Sequence, residues 1–236
     1  MKTDNISEKL NRVFEKLAQN AQEDAQIPRK STGFSDIDRL TTGLADGDLV
    51  VIAGRPAMGK TAMALNIANH LAKENDKTIA IFSLEMSAEQ IIARLQKSIG
   101  IGNTKGGNLQ IFDDPWMSVK KMRTICESIE NLGAVIIDYV QLISSAEDSV
   151  QESTRKTEMV HISRALKLMA KNMNVPVICL SQLSKTVEHR VDKRPILSDF
   201  YKSGCLIQDA DQIIFLYRNQ YIIQKCRWGM LRNVSW

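Results

Sequence analysis

Residues 54–61 read Gly-Arg-Pro-Ala-Met-Gly-Lys-Thr and fit the spacing G-x-x-x-x-G-K-[ST], between an apolar run, Leu-Val-Val-Ile-Ala, and a helical stretch. That placement constrains the chain more than any other feature. A glycine-rich loop joining a buried strand to a helix turns backbone N–H groups inward as an anion nest, and the helix N-terminus adds positive potential. Lys60 then stands where it reaches β- and γ-phosphates, and the Thr61 hydroxyl where it ligates Mg²⁺, so ATP with Mg²⁺ is the expected ligand pair. The expected nucleotide contacts are Gly54, Arg55, Pro56, Ala57, Met58, Gly59, Lys60, Thr61 and Ala62. A chance glycine turn would need neither the strand before it nor the helix after it.

From Asp48 onward, short apolar runs alternate with helical periodicity. LVVIAG leads to a predicted helix over 61–72, TIAIFS to one over 88–97, LQIF to one over 119–131, and AVIID, after a polar loop, to one over 157–172. VPVICL is followed by a long polar loop. QIIFLY and YIIQKC have no helix between them and predict an antiparallel hairpin at an edge. Repeated strand-then-helix order predicts an α/β fold, a mostly parallel central sheet flanked by helices, with ligands at the carboxyl ends of the strands.

Ahead of this body, residues 6–24 place Leu10, Val13, Phe14, Leu17 and Ala21 at helical spacing, and Pro28 breaks the pattern. Two parts are therefore expected: an amphipathic helix and linker over 1–30, and an ATPase body over 31–236. At 44% hydrophobic and 25% charged, with net charge +4, the 236 residues are ordinary globular composition. Disorder, collagen and coiled coil are excluded, and the mild positive charge permits an acidic partner without requiring one. Scattered cysteines and histidines suggest neither a disulfide framework nor a zinc site. No run approaches a membrane span, so the expected location is cytoplasmic, away from membranes.

Further candidates lie at strand ends. Asp138 closes the run Ala134–Asp138 as an acid delivered to a Mg²⁺ shell would, although strands also end in Asp for reasons of turn chemistry. Glu85 follows TIAIFS, where an acid could polarise an attacking water; read alone, a charge favoured at a helix start accounts for it slightly better. Gln182 could sense a γ-phosphate or be a solvated loop residue. Lys225 and Arg227 project from one face of a strand, either as phosphate ligands for a neighbour or as charges protecting an edge. Loop 183–204 carries Lys185, His189, Arg190, Lys193, Arg194 and Lys202 with Tyr201, a composition suited to a nucleic-acid backbone and to any solvated loop.

Taken together, GRPAMGKT, FSLEMS, IIDYVQL, CLSQL and DKRPILSD, followed by SG and QDAD, resemble the motor domain of DnaB-type replicative DNA helicases, hexameric RecA-like ATPases. The likeness runs from about Ser31 to Val234. It implies that Glu85 is the hydrolytic glutamate, Asp138 the Mg²⁺ acid and Gln182 the γ-phosphate sensor. It also implies that Lys225 and Arg227 reach the neighbouring subunit's nucleotide and that Arg94 supports the site. DNA contacts are implied at Arg155, Tyr201, Lys202 and Gly204. The amphipathic helix matches a linker helix that docks on the adjacent protomer. The chain departs from the family pattern at Tyr201, where an Arg is usual, at Lys202 and Ile207, where Glu is usual, and at Arg232, where Gly is usual.

The leading expectation is thus an ATP hydrolase: a homo-hexameric ring that translocates on single-stranded DNA and unwinds duplex, with a helicase loader as a further partner. The competing readings are a non-motor ring subunit that binds ATP but grips DNA poorly, and a RecA-like recombinase or loader. The last of these leaves SLEMS, DYVQL and the DKRP loop unexplained.

Overall fold

All six residues of Leu49–Gly54 are buried, because this strand lies inside a sheet covered on both faces. Val50 and Ile52 pack into one core and Leu49, Val51 and Ala53 into another, as the two-residue period of a strand requires. The computed structural model describes residues 28–74, 77–99, 108–144, 155–200, 204–218, 220–226 and 233–235; the helix expected over 6–24 lies outside them.

In chain order the elements are β1 (Arg29–Lys30), α1 (Ser35–Thr41), β2 (Leu44–Ala45), β3 (Leu49–Gly54), α2 (Lys60–Glu74), β4 (Thr78–Ser83), α3 (Ala88–Ile99), β5 (Leu109–Phe112), α4 (Val119–Glu127), β6 (Leu132–Asp138), α5 (Arg155–Met173), β7 (Val177–Gln182), α6 (Cys205–Asp209), β8 (Gln212–Tyr217), β9 (Gln220–Cys226) and β10 (Asn233–Ser235). Short 3₁₀ turns fall at Val140–Leu142, Lys185–His189 and Leu197–Asp199. The main sheet has eight strands in the order β10-β9-β8-β3-β7-β6-β4-β5. From β8 to β5 every neighbouring pair is parallel. β9 and β10 continue the sheet antiparallel, so the expected hairpin of β8 and β9 is present and β10 forms the edge beyond it.

Helices α1, α2 and α3 close one face through Ile37, Leu40, Ile67, Leu71, Ile91 and Leu95. The other face is closed by α4 and α5 through Met122, Cys126, Met159, Ile162, Leu166 and Met169. Burial pushes the thiols of Cys126 and Cys179 up to about 12, so both pack as small apolar groups. No helix among the described residues is long and apolar enough to cross a membrane.

Local chemistry sets the helix ends. Ser87 and Gln90 make a reciprocal cap before α3, Ser87 N donating to Gln90 Oε1 at 3.2 Å and Gln90 N to Ser87 Oγ at 3.4 Å. The helix expected over 119–131 stops at Glu127: Ser128 Oγ donates back to the Ile125 carbonyl at 2.7 Å, and Asn131 adopts φ 54°, turning the chain into β6. Arg29 and Lys30, assigned to the linker by their proximity to Pro28, pair antiparallel with Ala45 and Leu44 in a two-stranded sheet. The boundary drawn at residue 30 therefore falls at the end of a strand that already belongs to the body.

A buried ion pair ties α5 to the sheet. Lys167 Nζ contacts Asp211 Oδ2 and donates to the Gly47 carbonyl at 2.8 Å, while Asp211 Oδ2 also accepts from Leu49 N at 2.8 Å. Removing one partner of such a pair is far costlier than removing both. Lys167→Met should lower folding stability by about 3 kcal/mol, read from the urea midpoint, and adding Asp211→Asn should restore part of the loss. A single-variant loss below about 1 kcal/mol would reduce this pair to the worth of a surface one.

Candidate nucleotide site

Four adjacent strands end their parallel run at one place. In register, Gly54 at the end of β3 lies opposite Gln182 at the end of β7, and Ser83 at the end of β4 lies opposite Asp138 at the end of β6. Leu84 N donates to the Asp138 carbonyl at 2.7 Å, holding these two strand ends together so that Glu85 and Asp138 emerge into the same cleft. The cleft has a volume of about 550 Å³, within the usual range for a small-molecule site. Of the residues expected at the nucleotide, Pro56, Ala57, Gly59, Lys60, Thr61, Ala62, Glu85, Arg94, Asp138 and Gln182 all line it.

The loop between β3 and α2 has the backbone its sequence called for. Ala57 and Gly59 both take positive φ, 63° and 85°, the alternation that points successive N–H groups inward. Gly54 has a separate reason to be glycine: an added Cβ would sit 3.0 Å from the Leu216 carbonyl oxygen. Lys60 is only 7% exposed, and its Nζ donates to the Arg55 carbonyl at 3.1 Å across the loop. Burial pushes the Lys60 pKa down, while the charges of Asp138 and Glu85 work in the opposite direction.

Thr61 Oγ1 donates to Asp138 Oδ2 at 2.7 Å, bringing hydroxyl and carboxylate together at the cleft floor. Burial pushes the Asp138 carboxyl up; the Thr61 hydrogen bond lowers it, and the Glu85 charge raises it further. Two converging hard oxygens, one a desolvated carboxylate beside a second acid, fit a small divalent cation such as Mg²⁺. The anion nest, buried lysine and helix N-terminus fit a polyphosphate next to it.

Some expected residues stand elsewhere. The Arg55 side chain leaves the cleft for the loop after β7, and Met58 packs against the core on the α2 side. Lys225 lies three residues back along β8 from the level of Gly54 and two strands away, so it is roughly 10 Å from the loop in each direction. Its Nζ donates to the carbonyls of Ile207 and Gln208 at 2.7 and 3.2 Å. Arg155 is the first residue of α5. Gly204 is exposed just before α6, at φ −59°, where the chain's own backbone does not require glycine. Arg227, Arg232, Tyr201 and Lys202 lie outside the described residues. Within the basic loop, Arg190 is committed internally: it grips Asp199 with two bonds of 2.7 and 2.9 Å and donates to the Arg194 carbonyl at 2.5 Å. Lys185, His189, Lys193 and Arg194 are exposed.

Nothing in the sequence singles out Gln141. Its Nε2 donates to the Gln182 carbonyl at 3.0 Å and to Ser181 Oγ at 2.9 Å, and its Oε1 accepts from Gln182 N at 3.3 Å. The β6–β7 ladder ends at Ile137 and Cys179, so this side chain continues it by hand, one amide imitating a backbone partner. The residue sits within IIDYVQL, but no spacing rule connects it to a strand so far along the chain. Gln90 and Tyr139 also line the cleft.

Comparison with known proteins agrees with this geometry. A model of the DnaB-like helicase C terminal domain matches residues 30–105 and 95–231. The chain is 37% identical over 243 aligned positions to the replicative DNA helicase DnaB of Geobacillus stearothermophilus, covering 92% of this chain and 53% of that protein. It thus spans about half the length of the curated relatives it matches. A DnaB-like replicative helicase, solved in a study of its interactions with primase, superposes with a TM-score of 0.80 at 34% identity, over 99% of this chain and 64% of that one. A RadB recombinase structure shares the fold alone, with a TM-score of 0.60 at 19% identity over 87% of this chain and 94% of that one.

Proposed function

Because the chain belongs to the DnaB-like helicase C terminal domain family, we propose that it is the ATP-hydrolysing motor of a ring-shaped replicative DNA helicase, one that translocates on single-stranded DNA and unwinds duplex. The observation that carries the reading is the gathering of Lys60, Thr61, Glu85, Asp138 and Gln182 at the ends of four neighbouring strands. Lys60 and the inward N–H groups neutralise and orient the phosphates. Thr61 and Asp138 would hold Mg²⁺, which when bound shields the charge that develops as the γ-phosphoryl leaves. Glu85, exposed at the mouth of the cleft, orients the attacking water and takes its proton. Gln182, its backbone held by Gln141, presents its amide to the γ-phosphate.

The distance of Lys225 from its own phosphate loop supports a ring in which each site is completed by the next subunit. A cation two strands away and three residues back from the loop, its ammonium held by the Ile207 and Gln208 carbonyls, is out of reach of the nucleotide of its own chain. The linker helix and linker ahead of Arg29 would dock on the adjacent protomer, with the body from Arg29 onward as motor. DNA would pass the exposed cations of loop 183–200, with Arg155, Tyr201, Lys202 and Gly204 on the same path and a helicase loader as a transient partner.

The test is ATPase rate with and without single-stranded DNA, alongside mass by light scattering. The expected outcome is a hexamer whose turnover rises with DNA. Single-strand affinity should also fall steeply with salt as counterions are reacquired, with a log–log slope of about −0.7 per phosphate neutralised. Binding indifferent to salt, together with turnover indifferent to DNA, would favour the non-motor ring subunit.

A further inference from the structure

Arg55 is the second residue of the phosphate loop, yet its guanidinium is spent outside the cleft. Its Nη1 donates to the Leu183 carbonyl at 2.9 Å, and its Nε and Nη2 donate to Glu188 Oε1 at 2.9 and 2.6 Å. A planar fork with every arm engaged fixes two bodies relative to one another more firmly than a flexible ammonium could. The Arg55 side chain is 14% exposed and that of Glu188 57%, so this is a joint at the rim of the cleft and not part of either core.

The joint belongs to a continuous run of hydrogen bonds. Leu183 N donates to the Gly54 carbonyl at 3.3 Å, and Ser184 N to the Asp199 carbonyl at 3.0 Å. Arg190 then closes the loop on Asp199 from the other side. From Gly54 and Arg55, the path passes through the residues just after Gln182, along the 3₁₀ turn Lys185–His189, and reaches Asp199. The phosphate loop is thus bonded directly to this segment, through the Gly54 carbonyl and through the Arg55 side chain.

We propose that Arg55 and Glu188 form a latch that makes segment 183–199 move with the phosphate loop, so that Arg55 is a positioning residue for the turn after Gln182 and not a phosphate ligand. The latch rests on the nucleotide-site reading above and adds to it the route by which nucleotide occupancy is felt outside the cleft. An isolated exposed ion pair adds little to stability, so the signature of the latch is coupling and not unfolding.

Hydrogen exchange on the full chain, with and without a non-hydrolysable ATP analogue and Mg²⁺, separates the possibilities. In the wild-type protein the analogue should slow exchange by about tenfold both in 54–61 and in 183–199. Glu188→Ala, which leaves the cleft lining intact, should keep the slowing in 54–61 and lose most of it in 183–199. Glu188→Gln retains an acceptor oxygen for Arg55 and should recover part of the response, which a generally loosened loop would not do. Equal slowing of 183–199 in Glu188→Ala and wild type overturns the latch while leaving the nucleotide site standing. No slowing of 54–61 in the wild-type protein overturns the nucleotide reading, and the latch with it.

Discussion

Replacing Glu85 by Gln should leave nucleotide affinity within about threefold of wild type and lower ATP turnover by about 10²- to 10³-fold. The two effects separate because Glu85 stands at the mouth of the cleft, after β4, while the phosphate cradle is built by the loop after β3. A neutral amide there can still hold a water but cannot take its proton. Lys60→Ala should do the reverse and weaken binding by about 2 to 3 kcal/mol, roughly 30- to 150-fold, since it removes the buried cation from the nest. Binding by fluorescent analogue and turnover by phosphate release, measured on both variants, give the comparison. Wild-type turnover in Glu85→Gln would require the base to be sought elsewhere on the cleft wall. Unchanged affinity in Lys60→Ala would remove the phosphates from the loop altogether.

That these side chains share a cleft was largely legible beforehand, for a physical reason. Each candidate ends an apolar run, and a parallel sheet lines up its carboxyl ends, so Asp138 and Glu85 had to emerge on the same side once their strands were parallel. Their adjacency was not legible. β4 neighbours β6 and β5 while β3 neighbours β7 and β8, an order set by which helix packs on which face and not by any local signal. The small pairing of β1 with β2 and the edge strand β10 escaped because runs of two or three residues carry no periodicity. Arg55 was placed with the nucleotide because its backbone belongs to the loop; the direction of its side chain depends on Glu188, far along the chain. Gln141 shows the same limit, since its role is fixed by where a β ladder stops.

The register of β9 leads to the second large effect. Lys225 is level with Val51 through Ile213, whereas the phosphate loop begins after Gly54, so Lys225 is out of reach of its own loop and in the proposed ring serves the site of another subunit. Lys225→Ala alone should lower turnover by about 10²-fold, as loss of a cation on a transferring phosphoryl group does. Glu85→Gln alone should be as inactive. In the proposed ring the two lesions lie on opposite faces of an interface, so mixing the variants and allowing subunit exchange should restore activity. Random equal mixing pairs an intact Glu85 face with an intact Lys225 face at about one interface in four, and turnover should approach about a quarter of wild type if interfaces fire independently. If Lys225 acted within its own chain, every subunit would carry a lesion in its own site and mixing would return nothing. With exchange confirmed by mass-labelled subunits, failure to recover would overturn the trans assignment. It would also remove this argument for a ring, because Lys225, held by the Ile207 and Gln208 carbonyls, would then be a brace for α6 and no part of a shared site.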